Sequence, residues 1–436
     1  MKLSHYLSAL CITSALSCAL PAAAHQPDSA ATAAPSRLTI GGYGEAVYSH
    51  HFHSNNVFRY SRAAQYKDDP GFGRFDLPHA VFMLAYDFGR GWSFGSEVEF
   101  EHGGIEAAIE RETDEAAEVE QEIERGGEVA LEQFWVQKSF SPAFNIRAGH
   151  IVVPVGMTNN SHTPNTFFTV FRPEGENTIF PCTWHETGLS LWGRAGSWRY
   201  ELQLLPSLNS TLFNDAGWVH NGSASPYEFR PGSRLAGAAR IDWNGVPGLR
   251  LGLSGFLGNS FNNDFINSNY RPGARYSTLR GTVAIAAFDL SFRNRWLTIR
   301  ANADYGSLSD ADSISRFNKN QTTMTGNPYS HTEVGAAAWA AGIEAGVDVL
   351  ALASHGRSHR RLVLFAHYEH YDSYIPFSGM VDKLWCERQL AAAGLNYFPV
   401  PEVALKAEAG VRLLDSQYNN EPYIAVGITW TGYFKH

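Results

Sequence analysis

The chain has 436 residues and 44% of them are hydrophobic, yet its mean hydropathy is negative. Beyond the N-terminus no apolar run is long enough for a membrane-spanning helix, and a formal net charge of −9 with no basic arm excludes a nucleic-acid partner. Four cysteines are too few for a disulfide scaffold, especially if Cys11 and Cys18 leave with a leader.

That leader is predicted over residues 1–24: Met1-Lys2 as a basic start, Leu7–Leu20 as an apolar run and Ala22-Ala23-Ala24 as the cleavage site. Ala15-Leu16-Ser17 ahead of Cys18 makes a poor lipoprotein signal, and the run is too short to span a bilayer as a helix. Residues 25–37 are small and polar and read as a linker. The remainder, 38–436, is expected to be one barrel.

From residue 38 onward, segments of about ten residues alternate apolar and polar. Strands are predicted at 38–49, 74–88, 92–102, 128–139, 143–152, 184–193, 197–206, 234–243, 248–258, 277–291, 296–306, 335–349, 359–370, 385–398, 402–414 and 421–434. Their connections alternate in length. Tight turns fall at Phe88–Gly91, Ser139–Pro142, Gly193–Gly196, Asn244–Gly248, Phe292–Arg295 and Phe398–Pro401. Between them lie loops around 50–72, 104–127, 153–183, 207–232, 259–277, 307–333 and 371–383. Sorting loops by length onto alternate ends is the habit of a transmembrane antiparallel β-barrel, and sixteen strands enclose a lumen wide enough for water.

The register follows from the side-chain period of two. Leu249, Leu251, Leu253 and Leu257 alternate with Arg250, Gly252, Ser254 and Phe256, and Val403, Leu405 and Ala407 alternate with Lys406 and Glu408. In the last strand Ile424, Val426, Ile428, Trp430 and Phe434 share one face. Turning an Arg or Lys to lipid at the midplane costs roughly 2–4 kcal/mol, so the charges face inward. The predicted lumen has Glu45, Glu97, Glu99 and Glu101 on the first and third strands, and Arg147, Arg199, Arg234, Arg240, Arg250, Arg280 and Arg300 from the fifth to the eleventh, with Lys406 and Arg412 on the fifteenth. Such charges solvate any polar lumen. Read more sharply, a basic arc faces an acidic one, a device for orienting charged solutes.

Other clusters are weighed against simpler roles. Residues 104–127 are densely acidic and read as a solvated loop, with cation gathering at the outer mouth as the functional alternative; a hairpin over 118–124 and helices over 105–109 and 119–123 are both open. His50, His51 and His53 lack a carboxylate or cysteine at matching spacing and read as loop histidines. His162 and His185 read as hydrogen-bonding residues of a folded loop. Cys182 and Cys386 are expected to be two unpaired buried thiols.

The segment Gly149–Gly156, Asn159–Pro164, Arg172-Pro173-Glu174, Glu176 and Ile179–Gly188, together with Gly41–Glu45, Ser96–His102 and Gly127–Gln133, resembles the outer-membrane porins of the phosphate-selective porin O and P family. The likeness runs over nearly the whole mature chain. It implies a sixteen-stranded barrel in the bacterial outer membrane, delivered by the barrel-assembly machinery, contacting outer-membrane lipids and lipopolysaccharide, and assembled as a homotrimer. It also implies a third loop, 153–183, folded into the pore as a constriction carrying Arg172, Glu174 and Glu176. The family's lysine cluster has no counterpart in this loop, so the expected activity is passive diffusion of small hydrophilic solutes or ions, with anion or phosphate preference as the narrower reading. No cofactor is expected. The alternatives are a barrel enzyme, for which no nucleophile–His–acid grouping is evident, an adhesive or structural barrel, and a plugged transporter, for which the stretch before the first strand is too short.

Overall fold

The computed structural model describes residues 37–103 except Val57, the backbone of 110–113 and 119–122, and residues 128–225, 230–263, 276–319 and 333–435. The predicted leader and most of the linker lie outside the described residues.

Sixteen strands form one closed antiparallel sheet. They are β1 Leu38–His51, β2 in two pieces, Phe72–Asp76 and His79–Gly89, β3 Trp92–Glu101, β4 Glu128–Ser141, β5 Phe144–Val152, β6 His185–Ala195, β7 Trp198–Pro206 and β8 Leu235–Val246. The second half comprises β9 Leu249–Asn259, β10 Thr282–Arg293, β11 Leu297–Leu308, β12 Ala337–Asp348, β13 Arg361–Ile375, β14 Glu387–Val400, β15 Val403–Leu413 and β16 Glu421–Lys435. Closure is made by β1 and β16, in register from Thr39 opposite Lys435 to His51 opposite Tyr423. The interruption of β2 falls at Leu77-Pro78: proline has no N–H for the ladder, and the pairing with β1 slips by one residue across it, Val47 opposite Asp76 but Gly44 opposite Ala80.

Short helices lie in the connections: α1 Glu174–Ile179, α2 Ala311–Lys319 and α3 Val349–Ala353. Most connections at one end take two or three residues, as the sequence predicts. The β12–β13 connection is longer because α3 is set in it, capped by the Asp348 side chain accepting the Ala351 N–H. Two strand boundaries move by five residues, the others by three or fewer. β10 begins at Thr282 rather than 277, since the Asp310 carboxylate accepts the N–H groups of Arg280 and Gly281 and holds them out of the ladder. β13 runs on to Ile375, because its upper end still pairs with Ala337 of β12. In the acidic loop, Val119–Glu122 is a strand, not a helix, and pairs with Glu110–Thr113 in a sheet apart from the barrel; 105–109 lies outside the described residues.

The outer face is apolar as the alternation requires. Leu202, Leu253, Leu257, Ile343, Leu364, Leu405, Ile424, Val426 and Ile428 are exposed, while Trp92, Phe140, Phe144, Trp198 and Trp296 cluster near the short turns. A band of that kind meets hydrocarbon, with aromatic residues at its edge.

The lumen departs from the expectation of a polar interior throughout. Toward the long-loop end, β8–β12 turn Ala236, Ala238, Phe256, Ile285, Ala338 and Ala340 inward. Against them pack Val155, Ile179 and Trp184 of the third loop, Phe213 and Trp218 of the next long loop, and Ile314 and Phe317 of α2, as one buried apolar cluster. Gly306 makes room for this: a Cβ there would lie 2.1 Å from the Trp218 ring, whose indole N–H donates to the Gly335 carbonyl at 3.1 Å. Half of the barrel mouth is therefore a packed core.

Candidate functional site: the inward loop and its charged wall

The third loop, 153–184, leaves β5 and lies against the inner wall. An irregular backbone buried there must find partners for its N–H and C=O groups, and the inward charges of the strands supply them. Glu344 of β12 accepts the Phe168 N–H at 3.1 Å, Glu408 of β15 that of Val170 at 2.8 Å, and Glu369 of β13 those of Glu174 and Gly175 at 2.7 and 3.1 Å. Lys406 Nζ donates to the carbonyls of Pro164, Phe167 and Thr169 at 2.6, 3.0 and 2.8 Å and lies 4.3 Å from the Phe167 ring centre. Arg300 reaches the Thr166 carbonyl at 2.6 Å and Glu344 at 3.0 Å. The wall charges of β11–β15 thus hold the loop.

The loop also organises itself. The Glu176 carboxylate of α1 accepts the N–H groups of Met157, Thr158 and Asn159 at 2.8, 2.8 and 3.1 Å. Gly156 lets it approach, having φ +81 and a Cβ position only 2.2 Å from Glu176 Oε1. Burial pushes the Glu176 carboxyl up to about 7 and the His162 imidazole down to about 4. Burial opposes ionisation of Glu174, but the Arg412 guanidinium outweighs it and holds that carboxyl below its ordinary range. Cys182 is pushed up to about 12 by burial, and both it and Cys386 are free thiols.

The other sequence-predicted residues fall into distinct settings. Arg199 pairs with Glu201 and Asp242 at 2.5 and 3.2 Å, and Arg250 with Asp242 and Asp289 at 3.0 and 2.7 Å. Arg240 joins Asp242 to Asp289 at 2.7 and 2.8 Å. Arg147 is buried on Gln137, 4.4 Å from the Trp135 ring centre. Arg412 pairs with Glu174 and lies 3.6 Å from Glu421. Arg234 and Arg280 stand just ahead of β8 and β10, exposed at the long-loop end. Glu97 accepts from Gln133, and Glu99 lies 2.5 Å from His79 and 3.9 Å from the buried Arg172. His51 contacts Ser49 at 3.1 Å and stacks on Phe72, and His150 contacts His185.

Alternation places Glu201 on the inner face with Arg199, but the expectation of a basic arc leaves it uncounted and omits Asp242 and Asp289. They neutralise three of the arginines on the arc that was expected to be basic. The signal was present: Glu201 stands two residues after Arg199 and Asp242 two after Arg240, on the same face.

Between the loop and the opposite wall lies a cavity of about 340 Å³. Glu45, Asp76, Glu101, Glu174 and Glu408 face Arg74, Arg172 and Arg412 across it. It lies on the side away from the apolar cluster.

No family model matches the chain. An uncharacterised protein of Aquifex aeolicus (strain VF5) is 27% identical over 401 residues, spanning 90% of this chain and 79% of that one. Among solved structures, OmpF of Salmonella typhi, in complex with daunomycin, superposes with a TM-score of 0.53 at 10% identity, over 91% of this chain and 97% of that one. The anion-selective porin from Comamonas acidovorans gives 0.51 at 11% identity, over 91% and 99%. The channel DcaP of Acinetobacter baumannii gives 0.50 at 9%, over 91% and 97%. The chain therefore shares the fold of these porins, a closed sixteen-stranded antiparallel β-barrel.

Proposed function

We propose that this protein is a porin of the bacterial outer membrane that lets small hydrophilic solutes diffuse passively. The observation that carries the reading is the third loop, held by wall charges inside a closed sixteen-stranded barrel and leaving a charged cavity at its side. A purely adhesive barrel has no use for a loop so anchored. In this reading residues 1–24 direct export, 25–37 are a linker, the long loops face outward toward lipopolysaccharide, and the barrel-assembly machinery inserts a homotrimer. Arg172 and Glu174 border the narrow passage, with Glu176 fixing the loop behind them.

The passage is read as weakly selective. Arg74, Arg172 and Arg412 favour anions, phosphate among them, but five carboxylates share the cavity and Arg412 is paired with Glu174. Single-channel recording under a salt gradient, with phosphate as competitor, tests both levels. Stepwise conductance with a reversal potential near zero is expected. A strong anion potential with phosphate block would restore the narrower family reading, and a folded barrel without conductance would overturn the porin assignment.

A further inference from the structure

Among the described residues, two groups bring three metal-type donor atoms within 4.8 Å of one another: His79 with Glu99 and Glu101, and Glu97 with Glu132 and His162. The second is the better built. The β3–β4 pairing slips between Glu97 opposite Gln133 and Val98 opposite Leu131, leaving Glu132 as the extra residue of a bulge. Consecutive residues of a regular strand point to opposite faces, yet Glu132 and Gln133 are both buried while Leu131 and Phe134 are exposed. The bulge thereby turns an additional carboxylate inward, beside Glu97.

Each donor is oriented by a neighbour. Trp135 donates to Gln133 Oε1 at 3.1 Å, which aims the Gln133 amide N–H at Glu97. The Tyr43 hydroxyl donates to Glu132 at 3.4 Å. His162 Nδ1 lies 2.8 Å from the Asn159 carbonyl, an acceptor only, so Nδ1 holds the proton and Nε2 presents a lone pair. The remaining oxygens, Oε1 of Glu97 and Oε1 of Glu132, are buried with no N–H or hydroxyl donor, and the two carboxyl groups lie within hydrogen-bond reach of each other. Glu97 is 2% exposed and Glu132 1%. Two carboxylates and one imidazole, each fixed from behind, make a donor set for a first-row divalent ion and neutralise its charge.

We propose that Glu97, Glu132 and His162 bind a divalent transition-metal ion, Zn²⁺ by the character of the donors, which clips the third loop to β3 and β4. This anchor is opposite the one made by Lys406, Arg300 and Glu344. It does not depend on which solute crosses the barrel.

The test is refolding of the full chain with Zn²⁺ or Co²⁺, followed by exhaustive dialysis and metal analysis. About one ion per folded chain is expected, with a single paramagnetically shifted imidazole N–H in the Co²⁺ form. Glu132→Gln and His162→Gln are expected to abolish retention while keeping heat-modifiable mobility, whereas Glu101→Gln, in the other group, retains the ion. Absence of a retained ion in the wild type overturns the proposal and leaves the two carboxylates sharing a proton. Retention in both site variants, or loss in Glu101→Gln, overturns it in favour of the other group. If the site variants fail to fold, Glu101→Gln and His79→Gln decide the matter: retention of the ion in both supports the site, and loss in either overturns it.

Discussion

Glu176 and Gly156 show how much of the third loop rests on single side chains. Replacing Glu176 by alanine strands three buried N–H groups, each worth about 1–3 kcal/mol when unmatched. The expected result is rapid amide exchange at 157–159 in a barrel that still forms. Because burial raises the folded-state value of Glu176 to about 7, the fold holds its proton more tightly than the open loop does. Its contribution to loop stability is complete below the unfolded carboxylate value and is lost as pH rises through 7. Exchange protection of those amides, corrected for intrinsic rates, is expected to fall between pH 5 and 8 and to become flat in Glu176→Gln. Lys406→Met removes the donor for three carbonyls, so a looser loop and noisier single-channel currents are expected, at a cost of about 1–3 kcal/mol for each acceptor left dry. These roles were only partly legible in the sequence. Lys406 could be placed on the inner face by alternation, but its task as a clamp for carbonyls more than two hundred residues distant depends on a loop path that no periodicity encodes.

At the scale of elements, the strands were readable because lipid on one face and charge on the other force a period of two. Boundaries moved where a side chain intercepts the ladder, as Asp310 does ahead of β10, or where proline breaks it, as Pro78 does in β2. The packed half of the mouth was not readable, since its parts come from four separate loops and from wall positions such as Ala236 and Ala338, whose size alone marks them. Trp218 and Trp184 are its largest loop-borne anchors. Trp218→Ala is expected to cost about 3–5 kcal/mol and to free the loop from the lumen, seen as a lower thermal midpoint and a larger unitary conductance. Gly306→Val attacks the same contact from the wall and is expected to give the same two changes. The arginines of β7–β9 stand on the inner face beside Glu201, Asp242 and Asp289, and without those carboxylates the arc looks basic.

For the whole molecule, a wall whose charges are largely matched predicts a small reversal potential, and unmatching them one at a time is the check. Glu174→Gln leaves Arg412 with one carboxylate fewer, and the reversal potential is expected to move toward anions; Arg412→Gln is expected to move it the other way. The lopsided filling of the lumen has a further, mechanical consequence. From β8 to β12 the sheet is backed by one large second layer of tightly packed side chains, while the arc that borders the cavity is backed by smaller clusters around Phe168 and Val170 of the third loop and by that loop's hydrogen bonds. A tube lined more heavily on one side does not deform evenly. When the surrounding bilayer thins or is stretched, the more thinly backed arc is expected to yield first, and that arc is the one that borders the cavity. Unitary conductance is therefore expected to vary with acyl-chain length in reconstituted bilayers, more steeply than in an evenly lined barrel, and this protein would register the elasticity of its membrane as a change in flow.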